Sequence, residues 1–202
     1  MNKNSYVYSK ANGLLKMEAK ALHYKRYIEL GFFHRNEIDN YDEESIYFIA
    51  QTNDQKKVVG VTRLIRKQLD QLPTIRNFII YDAELELLKK VETACLVEVS
   101  AFTKVPRHNV GLGLIRTIMQ YSLENQIEVW ICCVDQRVFR YINRLFDYPF
   151  QIIGEPKIYL GSNSMPCMFP IKDGLQHIKE KKYQMYKFLM TSDKNVKKGV
   201  LS

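Results

Sequence analysis

Four cysteines in 202 residues, with no CxxC pair and no Cys/His cluster, offer neither a disulfide framework nor a zinc site. Cys132 and Cys133 are adjacent, so in a strand they point to opposite faces. No metal site is expected. The apolar runs, such as Ile127 to Val134, fall far short of the ~20 residues a membrane span needs. The first residues are polar and lack a secretory apolar core. These absences predict a cytoplasmic chain with reduced thiols. At this length about 70% of the unfolded surface can be buried, so one globular domain, or a domain with a tail, needs no metal to hold it. No internal repeat is visible, and no helix-turn-helix, zinc-finger or RNP signature occurs, so nucleic acid is not an expected partner.

What is present is base: 30 Lys+Arg against 22 Asp+Glu, a formal +8. The excess sits at the ends. Met1–Arg26 has six basic residues and one acidic, and Lys179–Ser202 seven and two, which leaves residues 27–178 at −2. Inside that body, residues 27–100 carry −4 and residues 101–160 carry +2. An acidic half suits a cationic or amine ligand, and a basic half suits an anionic one.

Periodicity along the chain gives alternating elements. Leu15, Ala19, Leu22, Ile28 and Leu30 predict a helix over residues 14–30, stopped by Gly31. Glu37 to Glu44 reads as a structured acidic loop. Ile46–Gln51 and Val58–Ile65 are strands joined across Asn53-Asp54-Gln55-Lys56. Residues 73–90 are ambiguous, with a helix from Asp82. Cys95–Lys104 is a strand whose strict alternation puts Leu96, Glu98, Ser100 and Phe102 on one face. A helix over Leu114–Glu124 follows a glycine turn, then a buried strand Ile127–Val134 parallel to its predecessor. Asp135 caps a helix to Phe146 with Val138, Phe139, Ile142 and Leu145 inward. Pro149–Ile153 and Lys157–Leu160 read as short closing strands, and the last dozen residues as a tail. Residues 1–172 are the expected domain, and 173–202 a basic C-terminal helix and tail.

Two features point to chemistry. Glu98 is a carboxylate inside a strongly strand-like run. The turn Arg107-His108-Asn109-Val110-Gly111-Leu112-Gly113 joins that strand to a helix, and a helix start there offers free N–H groups and a positive dipole end to a phosphate. The dinucleotide fingerprint is incomplete, since the third glycine is missing; an ordinary strand-to-helix turn is the competing reading.

The element order resembles the GNAT acyltransferase fold, a mixed central sheet flanked by helices in the α/β (α+β) class, whose acyl-carrier phosphopantetheine binds at this turn. Within that fold, Arg26, the run Glu37-Ile38-Asp39-Asn40-Tyr41-Asp42, Val58 to Leu64 and Glu98-Val99-Ser100-Ala101-Phe102 follow the order seen in acyl-homoserine-lactone (autoinducer) synthases. The similar N-acyl amino acid synthases share it. The resemblance spans residues 20–160. Three positions depart from the pattern: His108 stands where the usual turn has Gln or Arg, Ala101 where the autoinducer synthases carry arginine, and the one tryptophan, Trp130, is on a late strand.

The resemblance implies transfer of a fatty acyl group from acyl carrier protein or acyl-CoA to the amine of a small acceptor such as an amino acid. No cofactor is tightly held; the acyl-phosphopantetheine is a co-substrate. Glu98 is the expected base, with Ser100 beside it, and the competing reading pairs Glu98 with Arg63. Arg26, Asp39, Asp42 and Arg63 form the expected ion-pair set on the acceptor side, and Phe102 the acyl pocket. Lys104, Arg107, His108, Asn109, Val110, Gly111 and Gly113 would hold the phosphate. Backbone N–H groups near Phe102 would bind an oxyanion if the strand bulges there. Acyl carrier protein is acidic, and Lys104, Arg107, Arg137, Arg140 and Arg144 offer it a docking patch. The alternatives are a non-catalytic acyl- or CoA-binding module, an acetyl-CoA-dependent N-acetyltransferase, and a peripheral membrane contact through residues 175–189.

Overall fold

The computed structural model describes residues 5–34 and 39–191. Glu37 and Ile38 of the acidic run, and the tail beyond Thr191, lie outside the described residues. In chain order the elements are β1 (Tyr6–Lys10), α1 (Gly13–Glu29), β2 (Ser45–Thr52), β3 (Val58–Ile65), α2 (Pro73–Asn77), α3 (Asp82–Lys89), β4 (Leu96–Lys104), α4 (Gly111–Glu124), β5 (Val129–Asp135), α5 (Gln136–Phe146), β6 (Gln151–Ile152), β7 (Lys157–Tyr159), β8 (Ser162–Pro170), α6 (Ile171–Lys181) and α7 (Tyr183–Met190). The strands form one sheet in the order β1-β2-β3-β4-β5-β8-β6, with β7 also beside β8. Among the described strands only β4 and β5 run parallel. This is the mixed, helix-flanked sheet that the element order implies.

Helices close both faces of the sheet because the inner strands β2, β3, β5 and β8 bury side chains on both sides. On one face α1 sets Leu15, Ala19 and Leu22 against Tyr47, Ile49 and Val61, while Leu72 and Leu88 from around α2 and α3 pack on Ile65, Leu96 and Ile131. The opposite face carries Phe48, Leu64, Val97, Trp130 and Phe169, covered by Ile118 and Met119 of α4 and Phe146 of α5. Ser122, the one hydroxyl in the apolar stripe of α4, is satisfied there: Trp130 Nε1–H donates to it at 2.8 Å. Asp135 caps α5 as expected, accepting from the Arg137 N–H at 2.8 Å.

Several expectations are corrected. The sequence pattern shows neither β1 nor β8, although β8 pairs with β5 along the whole length of β5. Pro166 disguises β8, because proline has no ladder donor and argues against a central strand. In the sheet Pro166 falls between the two segments on β8's other side, β6 reaching Cys167 and β7 beginning at Ser164. The α1 stripe does not include Leu30, which is half exposed, but does include His23, which is buried. Val138 is likewise exposed on α5.

Most of the apolar side chains of residues 175–189 are turned into the fold, although Tyr183 is exposed. Leu175, Ile178 and Leu189 are buried in the same core cluster as Trp130 and Phe169, with Met185, Tyr186 and Phe188 packed against it. Burying each such side chain is worth about 1.5–3 kcal/mol, so turning the segment outward would strip the core. No described helix is long and apolar enough to cross a membrane.

Candidate active site

The β4–β5 ladder is short. It joins Leu96 to Val129, Val97 to Trp130 and Glu98 to Ile131, yet β4 runs on to Lys104 and β5 to Asp135. Beyond Glu98 the two strands part, and the starts of α4 and α5 stand at the open end of the wedge. A second irregularity lies in the same stretch. Against β3, Val61 pairs with Thr103 but Arg63 with Ser100, so Ala101 and Phe102 oppose Thr62 alone. That is a β-bulge. Ala101 takes φ +54, a left-handed conformation that a β-carbon disfavours, and its side chain is buried. Thr62 Oγ1 donates to the Ser100 carbonyl at 3.1 Å and ties the bulge down.

The bulge corrects the alternation expected on β4. Leu96, Glu98 and Ser100 share the face of Arg63 and Ile65, but the extra residue breaks the pattern, and Phe102 is exposed instead of joining them. Its ring lies against the turn, where a β-carbon on Gly111 would stand 3.6 Å from it.

Glu98 sits at the apex of the wedge and is 2% exposed. Its two carboxylate oxygens are held by one residue: the Thr74 N–H donates to Oε2 and the Thr74 hydroxyl to Oε1, both at 2.9 Å. Burial pushes the Glu98 carboxyl up to about 7, against the pull of the Thr74 hydrogen bonds and of Arg63. The Cys133 thiol, on the same face of β5, borders both Glu98 and Thr74, and burial raises its pKa. Tyr159, raised by burial, completes this side, its ring 5.3 Å from Phe78.

The pairing of Glu98 with Arg63 is not what the structure contains. Arg63 instead donates from Nη1 to Asp39 at 2.5 Å and to the Tyr47 hydroxyl at 3.1 Å. Tyr47 in turn donates to Asp42 at 2.8 Å, and Lys20 pairs with the same carboxylate. Burial raises the Asp42 pKa, but the bonds from Lys20 and Tyr47 outweigh it and hold it low. The expected ion-pair set therefore forms in part. Arg26 departs from it: its described ion pair is with Glu29 on its own helix.

The structure adds two groups from α1. His23 is buried, 3.8 Å from Asp39, with its ring against Tyr27 at 4.2 Å. Burial and Arg63 hold its pKa down to about 4, so it is neutral above pH 5. Tyr27 reaches the backbone of Ala101 at the bulge, and burial pushes its phenol up to about 12. Nothing in the sequence distinguishes Thr74, Tyr27, His23 or Tyr159, because each becomes polar lining only when the loop, helix or strand bearing it is folded over the wedge.

At the turn, Lys104, Arg107 and Asn109 are exposed, and Val110 is buried beneath Gly60. His108 Nδ1 lies 3.1 Å from the Tyr6 hydroxyl. The first α4 hydrogen bond runs from Leu114 N–H to Val110, so the N–H groups of Gly111, Leu112 and Gly113 have no helical partner. The two glycines differ. A β-carbon on Gly113 would fall 2.0 Å from Tyr8, so that glycine serves the packing of β1, whereas Gly111 faces outward. Tyr141 is exposed on α5.

Parallel strands that part beside a bulge, with a helix opening at the end of the first, are the architecture of GNAT-like acyltransferases, and solved structures bear the likeness out. FeeM, an N-acyl amino acid synthase from uncultured soil microbes, superposes with a TM-score of 0.66 at 17% identity, over 86% of this chain and 96% of that one. The AHL synthase LasI follows at 0.60 and 17%, over 83% and 91%. BjaI, a CoA-dependent acyl-homoserine lactone synthase solved with SAM and isopentyl-CoA, gives 0.54 and 15%, over 82% and 78%. No curated protein matches the chain. The family model of the N-acyl amino acid synthase FeeM matches residues 18–172. The chain belongs to that family and is an acyltransferase.

Proposed function

We propose that the protein moves a fatty acyl group from the thioester of acyl carrier protein or acyl-CoA to the amine of a small acceptor, with Glu98 as the base. The observation that carries this reading is a carboxylate with a pKa of about 7 at the apex of the strand wedge. A base is most effective near the working pH, and burial has moved Glu98 there from the ordinary carboxylate range.

The acyl arm enters the wedge from its open end. Its phosphate meets the free N–H groups of Gly111, Leu112 and Gly113, with Lys104, Arg107, His108 and Asn109 around them. Lys104 at the end of β4 and Arg107 in the turn after it, with Arg137, Arg140 and Arg144 of α5, receive an acidic carrier. The thioester carbonyl comes to the bulge, where Ala101 turns its backbone out of the ladder, and Ser100 lies on the face of Glu98. The acceptor approaches from the network of Asp39, Asp42, Arg63 and Tyr47. An amine enters mostly protonated at neutral pH. It must lose one proton to become nucleophilic, which Glu98 takes directly or through water and passes to solvent, and a second after attack, which goes to the departing sulfur. The nitrogen forms a bond to the carbonyl carbon, the carbon–sulfur bond breaks, and the thiolate leaves to be protonated.

The reaction is assigned to the cytoplasm. Purified protein incubated with acyl carrier thioesters and acyl-CoA across a panel of amines should release thiol and yield an N-acyl product by mass. No thiol release with any pair, while Glu98→Gln behaves like the wild type, would overturn the assignment.

A further inference from the structure

We propose that Thr74 is the positioning residue for Glu98, fixing which lone pairs of the carboxylate face the wedge. This rests on the reading of Glu98 as the base. A glutamate side chain has three rotatable bonds, and a carboxylate on a strand face would otherwise sample several orientations. Thr74 removes that freedom with two donors from a single residue, its N–H on Oε2 and its hydroxyl on Oε1, each at 2.9 Å. Two bonds to the two oxygens fix the plane of the carboxylate as well as its place. Each oxygen keeps lone-pair capacity for an incoming proton.

The clamp is itself held. Thr74 is fully buried. Pro73 before it has a fixed φ, and its carbonyl accepts from Asn77 Nδ2 at 2.7 Å. Leu72 is buried, and its carbonyl accepts from the Arg76 N–H at 3.0 Å. The Thr74 carbonyl accepts from the Phe78 N–H at 3.1 Å. Phe78 continues from this clamp to the Tyr159 ring at the edge of the site. The short α2 segment is thus a rigid bracket whose one polar side chain inside the fold meets the base.

Other groups around Glu98 titrate elsewhere. Arg63 from β3 stays cationic, while the thiols of Cys132 and Cys133 from β5 and the Tyr159 phenol from β7 are pushed upward. A pH–rate limb near 7 that moves when Thr74 is substituted reports on Glu98. Hydrogen bonds to a carboxylate favour its ionised form, so losing one raises the pKa.

The test is kcat against pH for Thr74→Val, which keeps the shape and removes the hydroxyl, and for Thr74→Ser, which restores it. Thr74→Val should lower kcat about 10- to 100-fold with KM for both substrates within about twofold, as expected for misplacement of a base. Its acid limb should move up by about one pH unit. Thr74→Ser should recover both the rate and the limb. Thr74→Ala also lacks the hydroxyl and is read the same way if valine disturbs folding. The Glu98 carboxyl of labelled protein, followed by carbon NMR, should titrate higher in the hydroxyl-free variant without any turnover. A folded Thr74→Val with wild-type kcat and an unmoved limb, while Glu98→Gln is dead, overturns the role of Thr74 alone. Full activity of Glu98→Gln overturns the base itself.

Discussion

Glu98 and Ile131 are the last residues joined across the parallel pair of β4 and β5, so the carboxylate marks the point where the sheet opens. An acid placed there is dry, and its pKa of about 7 follows from that position. Because the proposed base must be ionised, activity should rise as pH increases through about 7. Glu98→Gln should lower kcat about 10²- to 10⁴-fold, the usual range for losing a positioned base. A pH–rate profile of the wild type and single-turnover measurement of the variant check both statements.

His23 and Glu98 should oppose each other in the pH dependence of stability. Glu98 has a folded pKa of about 7 against 4.5 unfolded, so the native state holds an extra proton between those values and loses stability as pH rises. His23 falls from 6.5 to about 4, so the native state lacks a proton there and loses stability as pH drops. Over pH 4.5–6.5 the two slopes cancel, each being about 1.4 kcal/mol per pH unit. Urea denaturation should show Glu98→Gln gaining stability as pH rises through this window, and His23→Leu losing it. Parallel curves for the two variants would refute the compensation.

Gly113 and Gly111 look alike in the sequence and should behave differently. Gly113→Ala meets the Tyr8 ring and should destabilise by about 1–3 kcal/mol, as overpacking does. Gly111→Ala has only ordinary contact with Phe102 and should fold normally. If donor phosphate rests on that backbone, the added methyl should raise KM for the acyl donor with little change in melting temperature.

Asp39 holds the buried Arg63 guanidinium at 2.5 Å. Asp39→Asn should destabilise by about 3–5 kcal/mol, because the arginine is left buried with its charge uncompensated. Adding Arg63→Met should recover part of that loss, since both charges are then gone. A double-mutant cycle from urea midpoints measures the coupling.

The sequence shows the parts of this site that depend on local pattern. Periodicity locates α1, β2, β3, α4 and α5, and Asp135 marks a cap, because those signals arise from neighbours along the chain. Glu98 stands out because a carboxylate is unusual in a strand-like run, whereas Asp39 is singled out only by the resemblance to the autoinducer synthases. Arg63 is also singled out, but its partner is not: the choice between Glu98 and Asp39 depends on how the acidic loop folds over β3. The bulge at Ala101 escapes detection because alanine carries no preference for φ +54. Thr74 escapes because residues 73–90 mix short helix and loop, and β8 because Pro166 imitates a break.

The parted strands have a thermodynamic consequence. Beyond Glu98 and Ile131, β4 and β5 do not pair with each other among the described residues, so the sheet has two facing edges inside it. An unpaired edge is a template for pairing with another extended chain. An acyl-phosphopantetheine arm is extended and carries amides, so it can complete them as an added strand does. If the proposed donor docks there, it is a removable piece of secondary structure, and saturating it at about a hundred times its Kd should add about 2.7 kcal/mol to the stability of the enzyme.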